Sequence, residues 1–156
     1  MLTGRFGNTS ARPYLEGSLI IPRLNVGAVL SFLVDTGADD TFVMPADGLT
    51  LGLDYGQLRG RDDTGRGAGG PFTAYHEPAL VTFTDGANLF GSFVTVGILQ
   101  QRDDMLKVPS LLGRDIIHRW HMRYQHSGRT LHFDVESADV VVPAAGPFPL
   151  PSTRHE

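Results

Sequence analysis

Short apolar runs separated by glycine, proline and polar residues recur along this chain of 156 residues. Runs of this length, bounded by turn-forming residues, are typical of strands rather than of long helices. The pattern therefore predicts a mainly β structure with many turns. The predicted strands are Tyr14–Ile21, Val26–Val34, Phe72–His76, Leu80–Thr84, Leu89–Leu99 and Thr130–Val135.

Two segments carry more specific patterns. The nearly uninterrupted apolar run from Ala28 to Val34 predicts a strand that is buried on both faces. One helix is predicted over Asp115–Tyr124, where Ile116, Trp120 and Tyr124 recur at intervals of four residues and so share one helical face. We therefore expect a single short helix among the strands.

Length and composition describe one folded domain with terminal extensions. A chain of this length buries an adequate core without disulfides, and the sequence contains no cysteine. We assign 1–12 to an N-terminal arm and 13–142 to the folded domain. Residues 143–156 are rich in proline, which disrupts both helices and strand ladders, and are predicted to form a mobile tail.

The charge pattern limits the classes of partner. The formal net charge is −4, whereas nucleic acids and anionic membranes favour a basic protein surface. No apolar run reaches 18 residues, and the first residues lack the apolar core of a signal peptide. We therefore expect a cytoplasmic protein that binds neither nucleic acid nor membrane.

The segment from Ser31 to Val43 is the most informative part of the sequence. Three apolar residues lead directly into Asp35-Thr36-Gly37. A carboxylate at this position leaves a buried strand and enters a turn, so it is held rigidly at the edge of the core. Gly37 lets the main chain approach the carboxylate closely and donate N–H groups to it, while Thr36 supplies a hydroxyl group to brace the turn.

A second motif lies in the run from Ser110 to Asp115, where two large aliphatic residues precede a glycine. Together the two motifs resemble the active-site signature of the retropepsin-like aspartic proteases, the branch with one Asp-Thr-Gly per chain. This branch includes retroviral-type enzymes and cellular shuttle-type relatives. The resemblance covers about Pro13 to Asp134.

The resemblance implies an all-β, closed acid-protease fold with one short helix, working as a homodimer. It also implies an aspartic endopeptidase that acts on peptides or unfolded proteins and needs neither a cofactor nor a metal. In such enzymes two neighbouring carboxylates share a proton, because like charges at that distance do not both ionise. The second carboxylate would be Asp35 of another copy of the chain.

Individual roles follow from the same resemblance. Asp35 would be the catalytic residue, supported by Thr36 and Gly37. Ala38 and Asp39 would contact the substrate.

Further positions of the family pattern lie outside the Asp-Thr-Gly motif, and among them the flap matches less closely. Arg114 would form a structural ion pair with Asp39 that anchors the helix start to the active-site loop. The glycine-rich segment Gly60–Tyr75 would form a hairpin flap, with Gly67 and Gly69 contacting substrate. Val140–Val142 is a candidate strand for the dimer interface.

A second Asp-Thr-Gly occurs at Asp63-Thr64-Gly65. Polar and glycine residues flank it on both sides, and no apolar strand leads into Asp63. Each lobe of a two-lobed aspartic protease needs its own strands and its own aliphatic-aliphatic-glycine partner, and only one such partner is present. We therefore interpret Asp63 as a surface residue outside the catalytic pair.

The sequence allows three alternatives to be compared with this interpretation. His118 and His121 suggest a metal hydrolase. Their spacing differs from that of the usual zinc ligands on a helix, and no acidic residue lies between them. A glycosidase using Asp35 with a second carboxylate has no support in the spacing. The third alternative is a non-catalytic retropepsin-like module for dimerisation and peptide binding, although Asp35 and its partner motif are intact.

Overall fold

The computed structural model describes residues 1–144, in which twelve strands are joined by turns and short helical segments. The strands are β1 (Leu2–Thr3), β2 (Arg5–Phe6), β3 (Pro13–Ile21), β4 (Val26–Val34), β5 (Phe42–Val43), β6 (Asp62–Gly67), β7 (Gly70–Thr84), β8 (Asn88–Leu99), β9 (Leu111–Leu112), β10 (Trp120–Gln125), β11 (Thr130–Val135) and β12 (Val140–Pro143). The helices are α1 (Pro45–Thr50) and α2 (Arg114–Ile117), with 3-10 turns at Pro22–Leu24, Tyr55–Gln57 and Asp103–Met105.

Six of the strands close into a barrel. The hydrogen-bonded order β3-β4-β9-β5-β8-β7 returns from β7 to β3. The β4–β9 and β5–β8 pairs are parallel and the others antiparallel. The prediction of a closed, mainly β structure is therefore confirmed, with two short helices rather than one.

The remaining strands extend or cover this barrel. β6 pairs with β7, β2 with β3, and β12 with β8. A separate sheet has the order β1-β11-β10. Residues 1–12 belong to this packing, since Leu2 and Phe6 are buried in the core. The ring of Trp120 lies 5.0 Å from that of Phe83, which joins the second sheet to the barrel.

The predicted helix over Asp115–Tyr124 is wrong after its first turn. The helix α2 ends at Ile117, and Trp120–Gln125 forms strand β10 paired with β11. The same residues also alternate, with Trp120 buried and His121 exposed. Pairing with β11 places alternate residues of β10 on the buried face, as the period of two requires. A helix over the same residues would have left β11 without its neighbour.

The strand Val26–Val34 forms as predicted, but it is buried on one side only. Leu30 and Phe32 are 2% and 0% exposed, whereas Val29 is 44% exposed. The expectation that Ala28–Val34 is buried on both faces is therefore wrong for a single chain. In β7, the two strands predicted between residues 72 and 84 form one continuous strand.

The C-terminal segment is described only in part. The predicted proline-rich tail, 143–156, lies outside the described residues from position 145 onward. Val140–Val142, the candidate interface strand, pairs with β8 of its own chain at one edge of the sheet. Neither helix within residues 1–144 has the length and apolar character needed to cross a membrane.

An ion pair with a buried carboxylate lies near the middle of β7. Glu77 is 1% exposed, and its carboxylate accepts hydrogen bonds from the Arg23 guanidinium and, at 2.9 Å, from the Arg59 N–H. Arg23 also donates to the carbonyl oxygen of Gln57 at 2.7 Å. The hydrogen bond from Arg23 holds the pKa of Glu77 below its usual value despite burial.

We predict that Arg23→Met lowers the melting temperature by roughly 5 °C at neutral pH, because it leaves a buried carboxylate without its cation. Since the pKa of Glu77 is depressed in the folded state, this contribution is present above the ordinary glutamate pKa and is lost as pH falls through the folded value. The difference between the two proteins should therefore shrink at acid pH. Thermal melts across pH measure it.

The matched control is Arg123→Met, which removes an ion pair with Asp134 in which both side chains are 50% exposed. Exposed pairs contribute little to stability. Equal melting temperatures for the two variants at neutral pH would contradict the assignment of Arg23 and Glu77.

Candidate active site

The position of Asp35 is set by the strand β9, which lies between β4 and β5. The N–H of Leu33 donates to the carbonyl oxygen of Ser110 at 2.8 Å, and the N–H of Asp35 donates to that of Leu112 at 3.0 Å. These bonds continue the parallel pairing of β4 with β9 to the first residue beyond β4. Asp35 is therefore held by the main chain at the end of a strand with a buried face.

The turn after β4 gives the carboxylate its first hydrogen-bond donor. The N–H of Gly37 donates to Asp35 Oδ1 at 2.8 Å, and the N–H of Ala38 donates to the Asp35 carbonyl oxygen at 3.2 Å. A Cβ atom on Gly37 would lie 3.1 Å from Asp35 Oδ1. The absent side chain at this position therefore permits the close approach of main chain and carboxylate.

The helix α2 holds the rest of the loop through its first two residues. The N–H of Arg114 donates to the Ala38 carbonyl oxygen at 2.9 Å, and that of Asp115 donates to the Asp39 carbonyl oxygen at 3.1 Å. The Arg114 guanidinium contacts the Asp39 carboxylate and also donates to the Thr36 carbonyl oxygen at 3.1 Å. The loop is thus attached to α2 by both main-chain and side-chain bonds.

The contact between Arg114 and Asp39 lies at the surface of a single chain. The Asp39 side chain is 81% exposed and that of Arg114 is 36% exposed. Exposed ion pairs are screened by water and add little to stability. In an isolated chain, the two main-chain hydrogen bonds of α2 therefore hold the loop more firmly than this ion pair.

A buried network beneath the loop was not identified from the sequence. Thr41 is 0% exposed, and Asp115 accepts two hydrogen bonds from it, one from its N–H at 2.9 Å and one from its hydroxyl at 2.8 Å. The Thr41 hydroxyl oxygen accepts the N–H of Gly113 at 3.2 Å. Burial raises the pKa of Asp115, while the hydrogen bonds from Thr41 oppose that rise.

Gly113 is required at the crossing of these segments. A Cβ atom there would collide with the main chain of Asp40 and Thr41. The two motifs of the sequence are therefore in main-chain contact. Asp115 follows directly after Gly113 and Arg114, and this position was the one signal in the sequence for its role as the acceptor of the Thr41 hydrogen bonds. The sequence does not show which acid near a motif lies against a buried side chain.

The glycine-rich segment forms a hairpin of β6 and β7. Gly67 pairs with Gly70, so that Ala68 and Gly69 make the turn, and a bulge interrupts the pairing between Asp62 and Gly65. Gly67 and Gly69 are exposed at the tip. The glycine-rich segment therefore forms a β-hairpin with an exposed tip.

An aromatic contact joins the hairpin to the barrel. The ring of Phe72 lies 5.8 Å from that of Phe42, at an interplanar angle of 89°. Phe42 pairs with Leu111 of β9, and a Cβ atom on Gly65 would collide with the Phe72 ring. The hairpin is thus packed, at Phe72, against a neighbour of the strand that positions Asp35.

Asp63 occupies a different environment from Asp35. It lies on β6 with a side chain that is 61% exposed, and it accepts a hydrogen bond from the Thr73 hydroxyl at 2.7 Å across the hairpin. The Arg61 Nε atom lies 3.2 Å from its carboxylate. The hydrogen bond from Thr73 lowers the pKa of Asp63. The second Asp-Thr-Gly is therefore part of the hairpin strand.

The histidines considered as metal ligands lie on separate elements. His118 follows α2 and His121 lies on β10, and both are exposed. Within residues 1–144, no group of three or more histidine or acidic side chains is arranged to hold a metal ion.

A family model for aspartyl proteases matches residues 22–116, which contain both motifs and most of the barrel. This range exceeds half of the chain, and the chain therefore belongs to the aspartyl protease family. No curated protein sequence matches it.

The fold is that of the retropepsin-like aspartic proteases. A crystal structure of a retropepsin-like aspartic protease from Rickettsia conorii is similar at a TM-score of 0.59 and 20% sequence identity, over 92% of both chains. The EIAV protease, solved in complex with the inhibitor HBY-793, gives a TM-score of 0.46 and 22% identity over 72% of this chain and 90% of that one.

We predict that Asp115→Ala lowers the free energy of unfolding by about 2–3 kcal/mol, because two buried donors of Thr41 lose their acceptors. Asp115→Asn retains one acceptor and should cost about half as much. Chemical denaturation measures both values. In a double-mutant cycle with Thr41→Val, the combined loss should fall short of the sum by about 1 kcal/mol. Strictly additive losses would disprove the coupling.

Proposed function

We propose that this protein is an aspartic endopeptidase that hydrolyses peptide bonds as a homodimer. The observation that carries the proposal is the half-buried Asp35 carboxylate, which accepts the Gly37 N–H in a turn fixed by β9. Membership of the aspartyl protease family supports it. The site residues other than Asp35 are assigned from the same loop and hairpin.

One chain supplies one carboxylate of this kind. The other Asp-Thr-Gly aspartate, Asp63, is exposed on the hairpin and bonded to Thr73. Peptide hydrolysis by this class needs one ionised carboxylate to activate water and one protonated carboxyl group to polarise the peptide carbonyl. We therefore assign the second group to Asp35 of a second copy, with the water held between the two.

The remaining roles follow from position. Thr36 and Gly37 support the dyad through the turn. Ala38 and Asp39 follow directly and would contact the substrate main chain. Gly67 and Gly69, at the hairpin tip, would close over the substrate, since glycine permits the main-chain motion of a lid. Nothing in this scheme calls for a metal or an organic cofactor.

We predict that Asp35→Asn abolishes cleavage of an unfolded protein substrate while leaving the melting temperature nearly unchanged, because asparagine is nearly isosteric but does not share a proton. Asp63→Asn is the matched control and should alter the rate only slightly. Gel or mass-spectrometric detection of fragments measures both. A comparable loss of activity from the two substitutions would contradict the proposal that Asp63 lies outside the catalytic pair.

We also predict that specific activity falls on dilution through the dimer dissociation constant. Exchange of wild-type chains with an excess of Asp35→Asn chains should inactivate the enzyme, because a mixed dimer holds one ionisable aspartate. Sedimentation at each concentration gives the oligomeric state. Constant specific activity at concentrations where only monomer sediments would exclude the shared site. A stable dimer without any cleavage would favour the non-catalytic module.

A further inference from the structure

A polar depression lies on the same side of β4 as Asp35. Its volume is about 430 Å³, and its lining includes Arg5, Tyr14, Ser31, Asp47 and Lys107. Two of these side chains are cationic and one is acidic. The depression is formed by β2, β3 and β4 on one side and by the segments around α1 and before β9 on the other.

The Arg5 guanidinium is oriented before any ligand binds. Its Nη2 atom donates to the Ser31 hydroxyl at 2.9 Å, and its Cζ atom lies 5.0 Å from the centre of the Tyr14 ring. The bond to Ser31 uses one of the five N–H donors of arginine. In the part of the chain that the structure describes, the remaining donors are not used by a carboxylate, and a guanidinium binds a carboxylate through two parallel hydrogen bonds.

The net charge of the side chains that line the depression is positive, although Asp47 is among them. The Asp47 carboxylate accepts the Ser110 hydroxyl at 2.5 Å, and Ser110 in turn accepts the N–H of Met44 at 3.0 Å. Within residues 1–144, neither Arg5 nor Lys107 forms an ion pair. Asp47 is thus engaged in structure, and the two cations face the depression without a carboxylate partner.

The register of β4 relates this depression to Asp35. Alternate residues of a strand share one face, so Ser31, Leu33 and Asp35 point to the same side, opposite the core. All three are half-buried, in contrast to the buried residues between them. Four strand residues span about 13 Å, which is also the span of four extended residues of a bound peptide.

We propose that Arg5 and Lys107 bind an acidic side chain of the substrate, placed three to five residues from the scissile bond. The inference rests on the proposed endopeptidase function and adds a substrate class to it. The acidic side chain would pair with the remaining donors of the Arg5 guanidinium, and Lys107 would add a second positive charge.

The test uses peptides that differ only by glutamate or glutamine at each of these positions, on either side of a cleaved bond. At the favoured position, kcat/KM should be roughly tenfold higher for the glutamate peptide than for the glutamine peptide, because a charge-assisted hydrogen bond stabilises the bound substrate by about this factor. The preference should weaken as ionic strength rises. Arg5→Gln with Lys107→Gln should remove the preference, so that the ratio of kcat/KM for the glutamate and glutamine peptides falls to about one.

Two single variants keep the test independent of folding. Lys107→Gln alters an exposed side chain and should reduce the preference in part. Arg123→Gln, which removes a surface cation on β10, should leave the preference unchanged. Equal cleavage of the glutamate and glutamine peptides, or a preference that survives the double substitution, would overturn the proposal.

A measurement of peptide binding tests this inference separately from the proposed endopeptidase function. Asp35→Asn protein should bind the glutamate peptide about tenfold more tightly than the glutamine peptide, as measured by fluorescence anisotropy. Tighter binding without cleavage by the wild-type protein would support the acidic subsite and overturn the endopeptidase. Equal binding of the two peptides would overturn the subsite, whatever the wild-type protein cleaves.

Discussion

The insertion of the two-residue strand β9 between β4 and β5 is the constraint on which the candidate site depends. Leu111–Leu112 pairs parallel with β4 and antiparallel with β5, and no other strand lies between those two. The loop from Asp35 to Thr41 joins the same two strands, so it must pass over the end of β9. The chain leaves β9 through Gly113, which touches the main chain of that loop directly. One crossing therefore fixes the turn at Asp35 and the start of α2 together.

Main-chain hydrogen bonds carry most of this arrangement. Asp35, Ala38 and Asp39 each bond through a backbone group to the segment that begins with β9. Side chains then reinforce it at two depths. The bonds between buried Thr41 and half-buried Asp115 tie the loop to α2 from below, whereas the charged contact of Arg114 is exposed above. Removing one partner of a buried hydrogen bond leaves the other unsatisfied, which costs more free energy of unfolding than the loss of an exposed ion pair. Substitutions in the pair of Thr41 and Asp115 should therefore destabilise the fold more than substitutions in the pair of Arg114 and Asp39.

The sequence was most informative where a pattern depends on neighbours along the chain. Alternation and turn residues located most of the long strands, and the motif at Asp35 located the turn. The misplaced helix and the missed acid share one cause, which is the influence of distant segments. Trp120 to Gln125 satisfies both a helical and an alternating pattern, and pairing with β11 decides for the strand. Likewise, Asp115 is recognised as a buried acceptor only once Thr41, 74 residues earlier, lies against it.

The two copies of Asp-Thr-Gly show how the same tripeptide differs with its surroundings. Asp35 follows a strand with a buried face, and its carboxylate accepts a main-chain N–H, so its position is fixed while one side stays open. Asp63 lies on an exposed strand, where a hydroxyl across the hairpin and a neighbouring arginine occupy its carboxylate. A carboxylate that shares a proton with another must be both rigid and free of a competing cation. Only the first environment meets both conditions, and it does so through β9 rather than through the tripeptide itself.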